Sequence, residues 1–392
     1  MNVLRRFVAL SIVPIVSILL ALLVGSIIIV VSSGVNTGDW NLLLPLQAYE
    51  AMLQGAIGIS FFDVKDGAMT FDLVIDPDRI LRAVTNTLVA ATPLILAGLA
   101  VGLGFKGGLF NIGGTGQFLV GGFTAALVGA AVATQPVPIA VTLALVAGAL
   151  GGALYGFIPG ALKAFTGAHE VVTTIMLNSL AALVIVGLVN DIFKITGPTF
   201  ARTADIGNAT LPIIFGEDGS LGVLIAILAV PIAYVLIYRT TLGFEIRTTG
   251  ANPDAARYAG MSPRRVIILT MSLCGLFAGL AGTIEILNLG YYPAVYGTTI
   301  GFAGITVALL GRSHPVGILL AALLLGGMVV GASTMQIAAK VPREIIDVIQ
   351  GLILIFLAAE IVIRRALRVR ADRTTPAELS TVERSYGSGQ AA

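Results

Sequence analysis

The sequence predicts an all-α membrane protein that crosses the bilayer about ten times, and three observations carry that prediction. Hydrophobic residues make up 57% of the 392 and charged residues only 11%, whereas a soluble domain carries about a quarter charged residues. Apolar, charge-free windows recur along the chain at close to the ~20 residues that span a hydrocarbon core. The lysines and arginines between those windows fall preferentially on alternate sides, as the positive-inside rule requires.

The first window, 7–31, follows Arg5 and Arg6 within a charge-free run from Phe7 to Thr37. That run exceeds the apolar core of a secretory signal, about 7–15 residues, so it reads as a retained anchor helix. Residues 32–82 hold seven acidic side chains between Asp39 and Asp78 and read as an external segment of short surface helices or turns. The remaining windows are 83–105, 116–133, 138–160, 171–192, 220–238, 266–288, 299–311, 315–338 and 344–363. Residues 299–311 are too few to cross alone, and 193–219 form a second external segment. A transmembrane domain of residues 1–363 results, with a loop at 239–265. The tail 364–392 turns abruptly charged and Ser/Gly-rich, the composition of a disordered end.

Ten spans with a cytoplasmic N-terminus put sixteen Lys and Arg inside, among them Arg239, Arg247, Arg257, Arg264, Arg265 and six arginines between Arg364 and Arg384, against seven outside. Both termini and the loop 239–265 therefore face the cytoplasm.

Two Gly-rich or Pro-rich stretches interrupt the spans. "GGLFNIGGTGQ" (107–117) precedes the third, and "LGYYPAVYGTTIGFAG" (289–304) runs into the eighth. Irregular backbone at membrane depth is tolerated only against protein or a water-filled path. Each break follows a full span, and those two spans run in opposite directions, the arrangement an inverted repeat would give; paired breaks of this kind point to a substrate path. Gly148, Gly151, Gly152, Gly156, Gly275, Gly279, Gly282, Gly326, Gly327 and Gly331 are small residues suited to close helix packing. Asn86, Asn178, Glu285, Asn288, Asp347 and Gln350 lie in or near spans and should face the bundle interior.

Several chemistries are disfavoured. The single Cys274 excludes an intrachain disulfide framework and a cysteine-rich metal site. "GLGFKG" (102–107) matches G-x-G-x-x-G but closes an apolar helix instead of following a strand, and no Gly-Lys pair exists to form a nucleotide-phosphate loop. His169 and His314 have no zinc-ligand spacing, and a helix N-terminus accounts for Glu170 beside His169. No catalytic, cofactor-binding or metal residue is assigned, and no basic-aromatic surface for nucleic acid appears.

The loop "EIRTTGANPDAARYAGMSPRRV" packs six charges into residues 245–266. Asn252 can cap, Pro253 suits the first helical position, Asp254 the positive helix end, and Gly260 the C-terminal stop. A helix of about two turns results, too short to stand alone in water, so it needs a partner or its own subunit to hold it.

The stretch "TTGANPDAARYAGMSPRRVIILTMSLCGLFAGLAG", with "FNIGGTGQFLVGG", "HEVVTTIMLN" and "GFAGITVALLGRSHPVGILLAALL", resembles the permease subunits of bacterial ATP-binding-cassette importers of the branched-chain amino acid, ribose and nucleoside family. The likeness covers about residues 80–363, and "NIGGTGQ" and "EVVTTIMLN" look most like the nucleoside branch with a basic-membrane-protein-type receptor. The resemblance implies a type II importer-like fold and a coupling helix over Gly250, Ala251, Asn252, Pro253, Asp254, Ala255, Ala256, Arg257, Tyr258, Ala259 and Gly260 that fits a groove on an ATPase. It implies a second, related permease subunit in a heterodimer, an ABC ATPase that uses ATP and magnesium, an external solute-binding lipoprotein, and a place in the bacterial cell membrane. Candidate path residues are Asn111, Thr115, Gln117, Asn178, Phe302 and Thr306, whose amides and hydroxyls suit an uncharged, hydrogen-bonding solute. Simple sugars or branched-chain amino acids are alternative cargoes. An ion-coupled secondary transporter using Glu285 or Asp347 and an intramembrane enzyme are the rival classes.

Overall fold

A computed structural model of the chain describes residues 3–38, 40–65, 68–195, 200–297 and 299–359. In chain order the helices are α1 (Val3–Thr37), α2 (Leu44–Ile57), α3 (Pro77–Lys106), α4 (Gly114–Ala131), α5 (Val137–Thr166), α6 (Glu170–Asp191), α7 (Leu221–Arg239), α8 (Thr241–Ala251), α9 (Pro253–Tyr258), α10 (Pro263–Leu289), α11 (Ile300–Leu310), α12 (Pro315–Ala339) and α13 (Glu344–Ala358). The strands are β1 (Ile59–Lys65), β2 (Ala68–Ile75), β3 (Ile213–Phe215) and β4 (Gly219–Ser220).

Every window predicted to span holds a helix among its described residues. Eight helices among the described residues are long and apolar enough to cross a membrane, α1, α3–α7, α10 and α12, so the chain is a multi-pass, mostly helical membrane protein. The other two windows give shorter helices: α11 has 11 residues and α13 has 15. The predicted disordered tail, 364–392, lies outside the described residues.

The two segments expected to be external depart from expectation in form. Residues 32–82 were expected as surface helices or turns, but beside α2 they hold an antiparallel hairpin pairing Ile59 with Ile75 and Lys65 with Ala68, with an irregularity between Ser60 and Phe62. "ISFFDVK" and "AMTFDLVI" are rich in β-branched and aromatic residues, which favour a pleated surface over a helix. β3 and β4 form a second small pair at 213–220.

The described residues form two compact units, one from residues 1–91, 215–219 and 323–359, the other from 92–214 and 220–322. In the first unit, α1 meets α13 where Gly25 faces Ile349, and the Tyr49 hydroxyl of α2 donates to the Leu22 carbonyl of α1 at 2.7 Å. Thr87 Oγ1 of α3 donates to the Ala56 carbonyl of α2 at 2.8 Å. Gly331 of α12 faces the Met52 backbone, and Gly326 faces Ala91. Glu50 ties α2 to the hairpin by accepting from Ser60 Oγ at 2.9 Å and from the Phe61 amide at 3.2 Å.

In the second unit, α10 runs against α4 and α5 on glycine. A Cβ on Gly152 of α5 would strike the Gly275 carbonyl and the Gly279 backbone, and one on Gly282 would strike the Phe118 carbonyl of α4. With little hydrophobic drive between helices in lipid, backbone proximity of this kind supplies the packing. Thr283, fully buried, donates to the Gly279 carbonyl at 2.8 Å, so its hydroxyl stays satisfied inside the bundle.

Candidate functional site

The first break follows α3. Leu109 N–H turns back to the Gly104 carbonyl at 2.9 Å, and Gly108 takes a positive φ of 69°. The first N–H groups of α4 then need partners, and two amides supply them. Asn111, 2% exposed, accepts from Gly113 N–H at 3.0 Å and exchanges bonds with Gln117, donating at 2.9 Å and accepting at 3.3 Å. Asn178, reaching across from α6, accepts from Gly116 N–H at 2.8 Å and donates to the Ile112 carbonyl at 2.9 Å. Three of the six predicted path residues thus converge on the break itself and hold it open in non-helical form.

The second break, between α10 and α11, is held from the side by residues 201–206. Thr203 N–H donates to the Tyr292 carbonyl at 2.9 Å, the Tyr292 N–H donates to Thr203 Oγ1 at 3.0 Å, and Ala294 N–H donates to the Ala201 carbonyl at 2.9 Å. Tyr296 stacks with Phe118 of α4 at 6.1 Å and sits 5.9 Å from Tyr292, which meets Phe123 edge-on at 5.5 Å. Sequence reasoning left this aromatic cluster out, although "YYPAVY" displays it.

The two breaks meet. Thr115, at the start of α4, faces the backbone of Gly301 in the first turn of α11, and its buried hydroxyl has no hydrogen-bond partner among the described residues. Phe110 and Ile112 pack on a buried cluster of Val101, Phe105, Ile305 and Ala308. On α11, Thr306 is 7% exposed while Phe302 is 53% exposed, the latter a large aromatic left uncovered beside the junction.

The polar loop is an elbow of two helices. Thr240 caps α8, accepting from Gly243 N–H at 3.0 Å. Asn252 caps α9 as predicted, accepting from the Asp254 and Ala255 amides at 3.0 and 3.1 Å, with Pro253 in the first position and Gly260 at φ 78°. The expected helix of about two turns is six residues long and ends where Met261 N–H closes on the Ala256 carbonyl at 3.0 Å. Ala256 is buried and Tyr258 is 95% exposed, so α9 is anchored by one face and presents the other. Preceding it, α8 was not foreseen, since "TLGFEIRTTGA" is poor in helix formers. Its buried Ile246 and the seating of Gly250 on Lys106–Gly108 supply the missing stabilisation. A cavity of about 610 Å³ opens in the elbow, lined by Arg239, Arg247, Glu245, Phe244 and Met261 among others.

Glu170 has a structural explanation. Glu170, 2% exposed at the start of α6, forms an ion pair with Lys163 near the end of α5. Among the described residues no group of three His, Cys, Asp or Glu side chains is placed to hold a metal ion.

A multi-pass bundle in which two interrupted helices meet, with an exposed capped helix between two spans, has the architecture of a membrane transport subunit. Residues 83–358 match the family described as branched-chain amino acid transport system / permease component, and the chain belongs to that family. It is 39% identical over 360 residues to the guanosine ABC transporter permease protein NupP of Bacillus subtilis, covering 90% of this chain and 94% of the relative. It is 33% identical over 381 residues to the nucleoside ABC transporter permease protein NupB of Lactococcus lactis, covering 93% and 96%. A second guanosine ABC transporter permease of Bacillus subtilis, NupQ, is 29% identical over 255 residues, 62% of this chain and 79% of the relative. No solved structure matches the chain significantly. The chain is therefore a permease, a transport subunit and not an enzyme.

Proposed function

We propose that this chain is one of two different permease subunits of an ABC importer that brings nucleosides into the cell. The observation that carries the reading is near-full-length similarity to two permeases named for guanosine and for nucleosides. A heterodimer is supported by NupP and NupQ, two distinct guanosine transporter permeases of one organism, both similar to this chain. An external binding lipoprotein delivers the solute, and a partner ATPase uses ATP and magnesium.

In this reading α9 with its flanks, residues 250–260, is the coupling helix, and both termini lie in the cytoplasm, where the arginine excess directs them. The elbow carries Arg239, Arg247, Arg257, Arg264 and Arg265 against Glu245 and Asp254, so it favours an acidic ATPase surface. Phe302 and Thr115 face the path where the two breaks meet. An aromatic face and a hydroxyl suit a solute with a nucleobase and a ribose, by stacking and hydrogen bonding. Asn111, Gln117 and Asn178 serve the path by keeping the break in shape, and Thr306 lines α11 behind Phe302.

Uptake of radiolabelled guanosine by cells expressing the whole transporter, challenged with unlabelled nucleosides, ribose and leucine, tests the cargo. Competition by nucleosides alone is expected. No transporter-dependent guanosine uptake, or competition by ribose or leucine as strong as that by nucleosides, would overturn the assignment.

A further inference from the structure

The elbow touches the turn that carries α11. Tyr234 and Tyr238, one helical turn apart at the end of α7, lie 5.2 Å from each other and 5.9 and 5.7 Å from the His314 ring. The Arg247 guanidinium of α8 stands 5.4 Å from the Tyr238 ring. A continuous run of contacts, a guanidinium over a ring and then tilted rings, therefore leads from α8 through Tyr238 to His314, the last residue of the turn between α11 and α12. Burial and the nearby Lys106 charge lower the His314 pKa, which favours the uncharged imidazole over the imidazolium.

That turn is stiff. Arg312 and Ser313 take positive φ values of 53° and 48° in succession, a conformation uncommon for single non-glycine residues and kept only where surrounding structure enforces it. Four backbone bonds close it: Gly311 N–H to the Val307 carbonyl at 2.8 Å, Arg312 N–H to Leu309 at 3.0 Å, Ser313 N–H to Ala308 at 2.7 Å, and His314 N–H to Gly311 at 3.1 Å. The Gly311 backbone also lies directly on Gly317 and Ile318 of α12. α11 and the turn thus move as one piece. α11 meets α3 closely, with Gly304 against Ala97 and the Val307 side chain against Gly98.

We propose that His314 is a positioning residue for transport: in ring contact with Tyr238, it carries displacement of the α7–α8 elbow into the stiff turn and so moves α11 with Phe302 and Thr306. Opening of the path is then driven from the elbow through a ring contact, with no change of charge. The inference rests on α9 being the docking helix, and the test separates the two.

The complete transporter with its receptor, in proteoliposomes, is assayed for both uptake and receptor-stimulated ATP hydrolysis. His314→Ala is expected to lower uptake at least fivefold while hydrolysis stays within twofold of wild type, and His314→Phe, which keeps a ring on Tyr238, is expected to recover most of the uptake. If His314→Ala fails to assemble, Tyr238→Leu cuts the other side of the stack and takes the same readout. Unchanged uptake, or uptake and hydrolysis falling in proportion, would overturn the proposal. A parallel Arg257→Ala/Tyr258→Ala variant reports on docking alone: full activity there sinks the docking reading, whatever His314 does.

Discussion

Asn178 offers the sharpest test of how the first break is held. Replacing it with Ala removes the acceptor for Gly116 N–H at 2.8 Å and the donor to the Ile112 carbonyl at 2.9 Å. Interhelical hydrogen bonds within membranes average ~0.6 kcal/mol by double-mutant cycles, with a maximum near 1.7, so two give about 1.2 kcal/mol on average and about 3.4 at most. Leaving a buried donor unsatisfied costs about 1–3 kcal/mol, which overlaps that range. A loss of about 1–3 kcal/mol is expected, read as the shift in SDS-induced unfolding of the purified chain in detergent. Thr142→Ala is the control: its exposed hydroxyl bonds only within its own helix, to the Pro138 carbonyl, and such a surface change should stay within about 0.5 kcal/mol. If Asn178→Ala unfolds like wild type yet transports poorly, the amide acts on solute and the bracing account is wrong.

Three further outcomes follow from the same contacts. Gly152→Val drives a side chain into the Gly275 carbonyl and Gly279 backbone; overpacking against backbone should cost at least the ~1–3 kcal/mol typical of overfilled cores, seen as loss of detergent-stable protein, and normal yield and stability would contradict the packing. Lys163→Met strands the buried Glu170 carboxylate. Because Lys163 keeps 26% of its side chain exposed, the loss should fall below the ~3–5 kcal/mol of a fully buried pair, and adding Glu170→Gln should recover much of it; equal stability of the single and double variants would rule out the pair. Arg257→Ala/Tyr258→Ala should abolish ATP-driven uptake with membrane insertion intact, as measured by uptake and by membrane fractionation, and unimpaired uptake would count against docking.

Much of the fold was legible because membrane helices announce themselves by length and charge. All ten windows became helices, and the breaks fell where "GGLFNIGG" and "GYYPAVYG" place them. The caps of α9 were legible too, since Asn252, Pro253 and Gly260 act on backbone within a few residues. Less legible was anything depending on distant partners. Asn178 reaches Gly116 only because α6 returns beside α4, and the Lys163–Glu170 pair needs α5 and α6 to meet at their ends. α8 has weak local propensity and owes its form to Ile246 and Gly250 seating on other elements. The hairpin at 59–75 was hidden by its brevity between helices, although its β-branched and aromatic content was on view.

Cys274 is the sole cysteine and is buried, which makes the decisive measurement clean. A cysteine placed at the fully presented Tyr258, in a Cys274→Ser background, is challenged in intact cells with a membrane-impermeant maleimide and, in membranes of the assembled transporter, with a short thiol crosslinker. The account predicts no labelling from outside and a crosslink to the ATPase whose yield changes with nucleotide; labelling from outside, or no crosslink to the ATPase in any nucleotide state, would contradict it.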